Sequence, residues 1–169
     1  VNINAKSPIS GAIGDSQGGG FFPAEMKFAG FDGVVVKGKS PKPVYLWIKD
    51  GVAALKDAAH LSGKVTGEAE SALKQELGDE KVEVLQHGPA AEKGVLFSSA
   101  LSMSNRNNGR TGMGLVMASK NLRAVVVRGA QKPTVADQKA LAAINRLGPK
   151  WMPENPDMDG LGKYGTASV

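Results

Sequence analysis

The chain has no cysteine among its 169 residues. That excludes disulfides, thiol nucleophiles and cysteine-held metal clusters within these residues. Aromatic residues are scarce, at 5%. No apolar run approaches the roughly 18 residues that a membrane-spanning helix needs, so no membrane partner is expected. No basic–apolar–small-residue leader opens the sequence, and a cytoplasmic location is expected. The two histidines, His60 and His87, lie far apart without carboxylate or Cys partners at ligand spacing. Capping or surface roles are expected for them, not metal binding. Basic residues are scattered singly despite a net charge of +5. A nucleic-acid partner is therefore not favoured, and the positive balance suits an anionic cofactor or a missing acidic part.

What is present is glycine, 22 residues of it, in a chain that is 41% hydrophobic. That mix favours short strands and tight turns around a real core, in one domain or one domain plus a piece of another. The chain starts at Val1 without Met and stops at Val169, which reads as a segment of a larger polypeptide.

Two glycine-rich loops stand out. The first is Asp15-Ser16-Gln17-Gly18-Gly19-Gly20, and the second is Asn105-Arg106-Asn107-Asn108-Gly109-Arg110-Thr111-Gly112. Each is followed by a helix-like segment and then by Val34-Val35-Val36 or Val125-Val126-Val127. One constant offset aligns both valine triplets and sets Gly18 opposite Gly109. The pattern predicts a duplicated scaffold with two strands of near-identical sequence. Successive backbone N–H groups in such loops can cradle an anion, with Arg106 or Arg110 as counter-charge. Glycine-rich turns also occur simply as tight turns, so each loop alone supports either reading.

Around the loops, residues 1–5 alternate as a strand, and residues 23–28 suit a short helix with Pro23 at its start. Strands are expected at residues 34–37, 44–48, 52–55, 82–85, 95–101 and 124–128. Asp50-Gly51 marks a hairpin. Residues 68–77 have helical spacing and end at Gly78. Residues 134–147 read as an amphipathic helix, and residues 151–165 show no periodicity. Trp47 is expected in the core, Arg123 and Arg128 in solvent, and Glu25 as an ordinary first-turn acid. Nucleotide motifs fit poorly. Gly112-Met113-Gly114 lacks the third glycine of a dinucleotide fingerprint, and Gly160-Leu161-Gly162-Lys163-Tyr164 lacks the spacing and hydroxyl of a phosphate loop.

Several segments together resemble the N-terminal domain of the aldehyde:ferredoxin oxidoreductase family. They are Ser7-Pro8-Ile9-Ser10-Gly11, the first glycine loop, Glu25-Met26-Lys27-Phe28-Ala29-Gly30-Phe31-Asp32, Lys42-Pro43-Val44-Tyr45-Leu46-Trp47-Ile48 and Asp57-Ala58-Ala59-His60-Leu61-Ser62-Gly63-Lys64. Gly88-Pro89-Ala90-Ala91-Glu92, Asn108-Gly109-Arg110-Thr111-Gly112-Met113-Gly114, Met117-Ala118-Ser119-Lys120-Asn121-Leu122-Arg123-Ala124 and Lys163-Tyr164-Gly165-Thr166-Ala167 follow in order.

The resemblance implies an α+β fold of duplicated, intertwined β-sheet repeats with short helices, shaped as a saddle under the cofactor. Residues 1–130 would form that domain, and residues 131–169 a helix and connector into a helical region. The implied cofactor is tungsten, or molybdenum, held by the dithiolenes of two pterins. A bridging Mg²⁺ is implied, as is a [4Fe–4S] cluster in the full-length protein only. Family activity is oxidation of aldehydes to carboxylic acids with electrons passed to ferredoxin or an electron-transfer subunit. A related family member would reduce a different low-potential substrate. By position, Gln17, Gly18, Gly19, Arg106 and Asn107 would meet the pterin phosphates, with the backbone carbonyls of Gln17 and Asn107 on Mg²⁺. Relatives often carry Asn at the Gln17 position and Ala at the Asn107 position, changes that a backbone contact survives. No catalytic side chain is assigned, because the cluster cysteines and acid–base groups belong to later domains. The remainder of the polypeptide is the expected partner, and homo-oligomerisation stays open. The competing reading is a stand-alone anion- or nucleic-acid-binding module built on the twin loops.

Overall fold

The computed structural model describes residues 1–168. Its first unit, Val1–Lys132, opens with strand β1 (Asn2–Lys6), strand β2 (Ile13–Gln17) and helix α1 (Phe22–Phe28). Strands β3 (Val44–Lys49) and β4 (Val52–Asp57) precede helix α2 (Thr66–Leu77) and strand β5 (Glu83–His87). A short helix α3 (Pro89–Glu92) leads to β6 (Ala100–Ser102), β7 (Arg106–Asn108), helix α4 (Met113–Ser119) and strand β8 (Leu122–Arg128). The second unit begins at Pro133 and holds α5 (Gln138–Asn145), α6 (Gly148–Trp151) and α7 (Pro156–Tyr164). No helix of the described residues is long and apolar enough to cross a membrane.

The strands form a two-stranded sheet, β1-β2, and a six-stranded sheet in the order β4-β3-β8-β5-β6-β7. This is a mixed α+β architecture with short helices. β8 is central, and its side chains alternate between two cores. Leu122, Val125 and Val127 join Phe22, Ile48 and Met117 on the α1/α4 side. Ala124 and Val126 join Tyr45, Leu61, Leu73 and Val84 on the α2 side. Each fully buried valine contributes roughly 1.5–3 kcal/mol relative to exposure, so the run Val125-Val126-Val127 anchors both layers. Trp47 is half-buried and packs on the second core, as the sequence suggests.

Local signals explain several elements. Asp50 and Gly51 both take positive φ, +46° and +88°, as a tight hairpin between β3 and β4 demands. Gly78 closes α2 in the left-handed conformation, φ +64°. Pro23 sits in the first turn of α1.

The duplication is present, but its halves differ from the sequence expectation. Hairpin, loop, helix and sheet strand occur once as β1-β2-α1-β3 and again as β6-β7-α4-β8, and β3 lies parallel to β8. The strand that answers β8 is therefore β3, not residues 34–37, which form no strand. A position beside β8 is buried on both faces, and β3 fills it with Tyr45 and Ile48, both 0% exposed. Val34-Val35-Val36 is shorter, is bounded by Gly33 and Gly38, and leaves Val35 84% exposed. The strand expected at residues 95–101 shrinks to β6, because residues 95–99 turn past α4 and expose Phe97. Residues 151–165 are largely helical despite their breakers, since Asn155 caps α7 by accepting from the Asp157 and Met158 N–H groups.

Candidate functional site

The two glycine loops meet because the ends of β2 and β7 are hydrogen-bonded to each other's surroundings. Asn108, fully buried, donates from Nδ2 to the Ser16 carbonyl at 2.7 Å and to the Val1 carbonyl at 3.4 Å. The Arg110 N–H donates to Ser16 Oγ at 3.2 Å. Ser7 Oγ donates to the Thr111 carbonyl at 3.0 Å, and Thr111 Oγ1 reaches the Asp15 carbonyl at 3.4 Å. The Phe21 N–H points at Met103 Sδ at 3.0 Å. The halves touch closely at two glycines: a Cβ on Gly14 would lie 2.5 Å from Met113 Cε, and one on Gly18 would lie 2.7 Å from Asn108 Oδ1.

Hydrogen-bond alternation sets which groups face the junction. Val1 and Gly18 exchange both main-chain bonds, at 2.6 and 2.9 Å. The next pair, Asn2 and Gln17, is then a non-bonded pair, so the Gln17 N–H and C=O turn away from β1. The same parity turns the Asp15 carbonyl outward, where Thr111 meets it.

Between the loops lies an open cleft of about 700 Å³ lined by Asp15, Ser16, Gln17, Asn107, Gly109 and Arg110. Gln17 and Asn107, assigned on resemblance, therefore share one cleft. Gln17 is the last residue of β2, and Arg106 and Asn107 lie in β7, so all three are strand residues rather than loop residues. Gly18 is half-buried against Asn108, while Gly19 is exposed with nothing within 4 Å of a built Cβ. Arg106 lies outside the lining and packs on Gly20, where a Cβ would come within 2.8 Å of its Cγ. Arg110 supplies the cleft's cation and Asp15 its carboxylate, which Asn2 Nδ2 holds at 3.1 Å. Neither Asp15 nor Asn108 was singled out from sequence. The signal for Asn108 was its place directly before Gly109, matching Gln17 before Gly18. Asn108 Oδ1 is buried without a hydrogen-bond partner.

A second polar knot corrects the expectation of solvent-exposed arginines. β8 carries one extra residue against β3, since Val44 and Tyr45 face Leu122 and Ala124. Arg123 is that bulged residue, 2% exposed. It donates to the carbonyls of Leu61, Lys64 and His87 and to Gln86 Oε1, with Glu92 at 3.4 Å as its counter-charge. Burial lowers its pKa below the ordinary value. His87 is buried beside it instead of lying at the surface, and burial pushes its pKa down to about 4. Arg128 is paired with Glu25 at 2.7 Å and Asp79 at 2.8 Å, so Glu25 is more than a first-turn acid. His60 is at the surface, 3.1 Å from Glu76. Among the described residues no cluster of three or more His, Cys, Asp or Glu could hold a metal ion.

The family model described as "Aldehyde ferredoxin oxidoreductase, N-terminal domain" matches residues 1–129. The tungsten-containing aldehyde ferredoxin oxidoreductase of Pyrococcus furiosus is 42% identical over 167 residues, which is 98% of this chain and 28% of that protein. The aliphatic sulfonate oxidoreductase, WOR-like subunit, of the same organism is 31% identical over 86% of this chain and 26% of its own length. Among solved structures, the active site complex BamBC of benzoyl coenzyme A reductase in complex with 1,5 dienoyl-CoA matches with a TM-score of 0.85 at 34% identity. The match covers 92% of this chain and 24% of that one. The chain thus spans about a quarter of the length of these relatives. With its family model matched over most of its length and its fold shared with a longer oxidoreductase chain, this protein belongs to the aldehyde ferredoxin oxidoreductase N-terminal domain family, as a partial domain.

Proposed function

We propose that this chain is the cofactor-cradling part of a tungsten or molybdenum bis-pterin oxidoreductase, with the twin-loop cleft as the seat of the pterin phosphates. The observation that carries this is the meeting of Gln17 and Asn107 in one cleft with Arg110. Its donor set fits the group. Hard oxygen donors suit Mg²⁺, which binds through few protein ligands and phosphates. The Gln17 carbonyl is turned out of the hairpin toward that cleft side, and Asn107 would supply the second carbonyl. Arg110 offsets phosphate charge, and Arg106 stands near Gly20 as a further cation. Gly19 leaves room for close approach of the cofactor to the backbone, since it has open space in front of it, while Gly18 packs against Asn108 and holds the loop in place.

When bound, the metal–pterin group supplies two-electron oxidation of an aldehyde to a carboxylic acid, with a [4Fe–4S] cluster held elsewhere in the polypeptide as relay. Residues of this chain orient and neutralise; none of them is assigned to proton transfer or substrate contact. Ferredoxin, or an electron-transfer subunit, is the proposed acceptor. The remainder of the polypeptide is the proposed partner that completes the site.

The test is metal and pterin analysis after anaerobic expression with tungstate. The full-length polypeptide should carry tungsten and two pterins, and the 169-residue chain should carry neither. Stoichiometric tungsten on the short chain, or full-length protein without pterin, contradicts the proposal.

A further inference from the structure

β1 is paired on one side only, within a two-stranded sheet. The alternation that turns Gln17 and Asp15 away from β1 also turns the main-chain N–H and C=O of Asn2 and Asn4 away from β2. Those groups face a groove of about 450 Å³. The far wall of the groove is residues 32–36, and its floor includes Phe22, Met26, Met117, Leu122 and Val125. Residues 34–36 belong to no strand, yet their exposures alternate, 39%, 84% and 39%, as in a strand with one face toward a core. Ile3 and Ala5 are half-buried while Asn2, Asn4 and Lys6 are exposed, so β1 presents the same alternation on the near wall.

We propose that this groove seats one extended β-strand from the rest of the full-length polypeptide, lying between β1 and residues 34–36. The walls choose the class of occupant. A row of outward main-chain groups is satisfied by another strand, whereas a small apolar molecule leaves it unpaired. The floor chooses the side chains: apolar residues at alternate positions, facing Phe22, Met26 and Met117, with neutral or polar residues between them. The groove's charged lining is limited to Asp32 and Lys120, so nothing there demands a charged strand. The source is set by length. The relatives carry the matching segment within chains about four times longer. A two-stranded sheet is marginal in water without further strands or packing. Insertion also explains why Val34-Val35-Val36 repeats the sequence of a central strand while lacking strand partners here. The inference rests on membership in a longer polypeptide, and not on cofactor binding.

Hydrogen exchange of the full-length polypeptide, without cofactor, tests it. The Asn2 and Asn4 amides should exchange at least about a hundredfold slower than unstructured peptide. Unstructured-peptide rates at both amides overturn the proposal, whatever the cofactor content. A photo-reactive benzophenone side chain in place of Val35, in the same full-length polypeptide, should cross-link within one molecule to a segment outside residues 1–169 with alternating apolar residues. A cross-link to a second copy, or to residues within 1–169, overturns it.

Discussion

Asn108 Nδ2 lies 2.7 Å from the carbonyl oxygen of Ser16, so one buried amide joins the strand before the second glycine loop to the strand before the first. The two halves of the cleft are held in register by this side chain. Asn108→Ala should destabilise the chain by about 2–3 kcal/mol, because it removes the side-chain bonds to the Ser16 and Val1 carbonyls and opens a void. Asn108→Asp should cost at least as much, since a carboxylate would face two carbonyl oxygens. Urea unfolding of the 169-residue chain checks both.

Gly129 and Gly19 should behave oppositely. A Cβ on Gly129 would lie 2.0 Å from backbone atoms of Phe28 and Ala29, so Gly129→Ala should cost about 3 kcal/mol or more. Gly19→Ala meets open space and should stay within about 0.5 kcal/mol of the parent. Thermal unfolding with matched concentrations separates them.

Arg123 holds the β8 bulge through four bonds, three of them buried and one, to the Lys64 carbonyl, partly buried. Arg123→Met should lower stability by about 2–4 kcal/mol, because the carbonyls of Leu61, Lys64 and His87 and Gln86 Oε1 lose their donor. Denaturant titration should show a lower midpoint with an unchanged slope.

His87 makes the chain acid-sensitive. Burial lowers its folded pKa to about 4, from the ordinary histidine value of 6.5. The unfolded state therefore binds more protons between those values, and stability falls as pH drops from 6.5 toward 4. The full loss is about 3 kcal/mol. Unfolding midpoints at pH 7, 5.5 and 4 should decline in the parent and decline less steeply in His87→Asn.

Strong local signals were legible in the sequence. Asp50-Gly51, the Gly78 stop and the Val125-Val126-Val127 run each produced the element they suggest. β2 and β7 were not legible as strands, because their inward positions are Gly14, Ser16 and Asn108 rather than apolar residues. Their burial depends on Met113, Arg110 and one another, contacts distant in sequence. Val34-Val35-Val36 misled for the converse reason: its local pattern is that of a strand, while β3 occupies the place beside β8. In the candidate site, Gln17 and Asn107 followed from family resemblance. Arg110 was one of two candidate counter-charges in the sequence, and the roles of Asp15 and Asn108 emerged only once the two loops stood together in space.

Gly19→Asp combined with Arg110→Glu, made in the full-length polypeptide, tests the central claim most directly. Neither residue is buried, so folding should be little changed, while the cleft becomes repulsive to phosphate. Pterin and tungsten content per polypeptide, measured beside the parent, should fall at least about tenfold, a change of about 1.4 kcal/mol or more in cofactor binding. Undiminished pterin and tungsten in the folded double variant contradicts the assignment of this cleft as the phosphate seat.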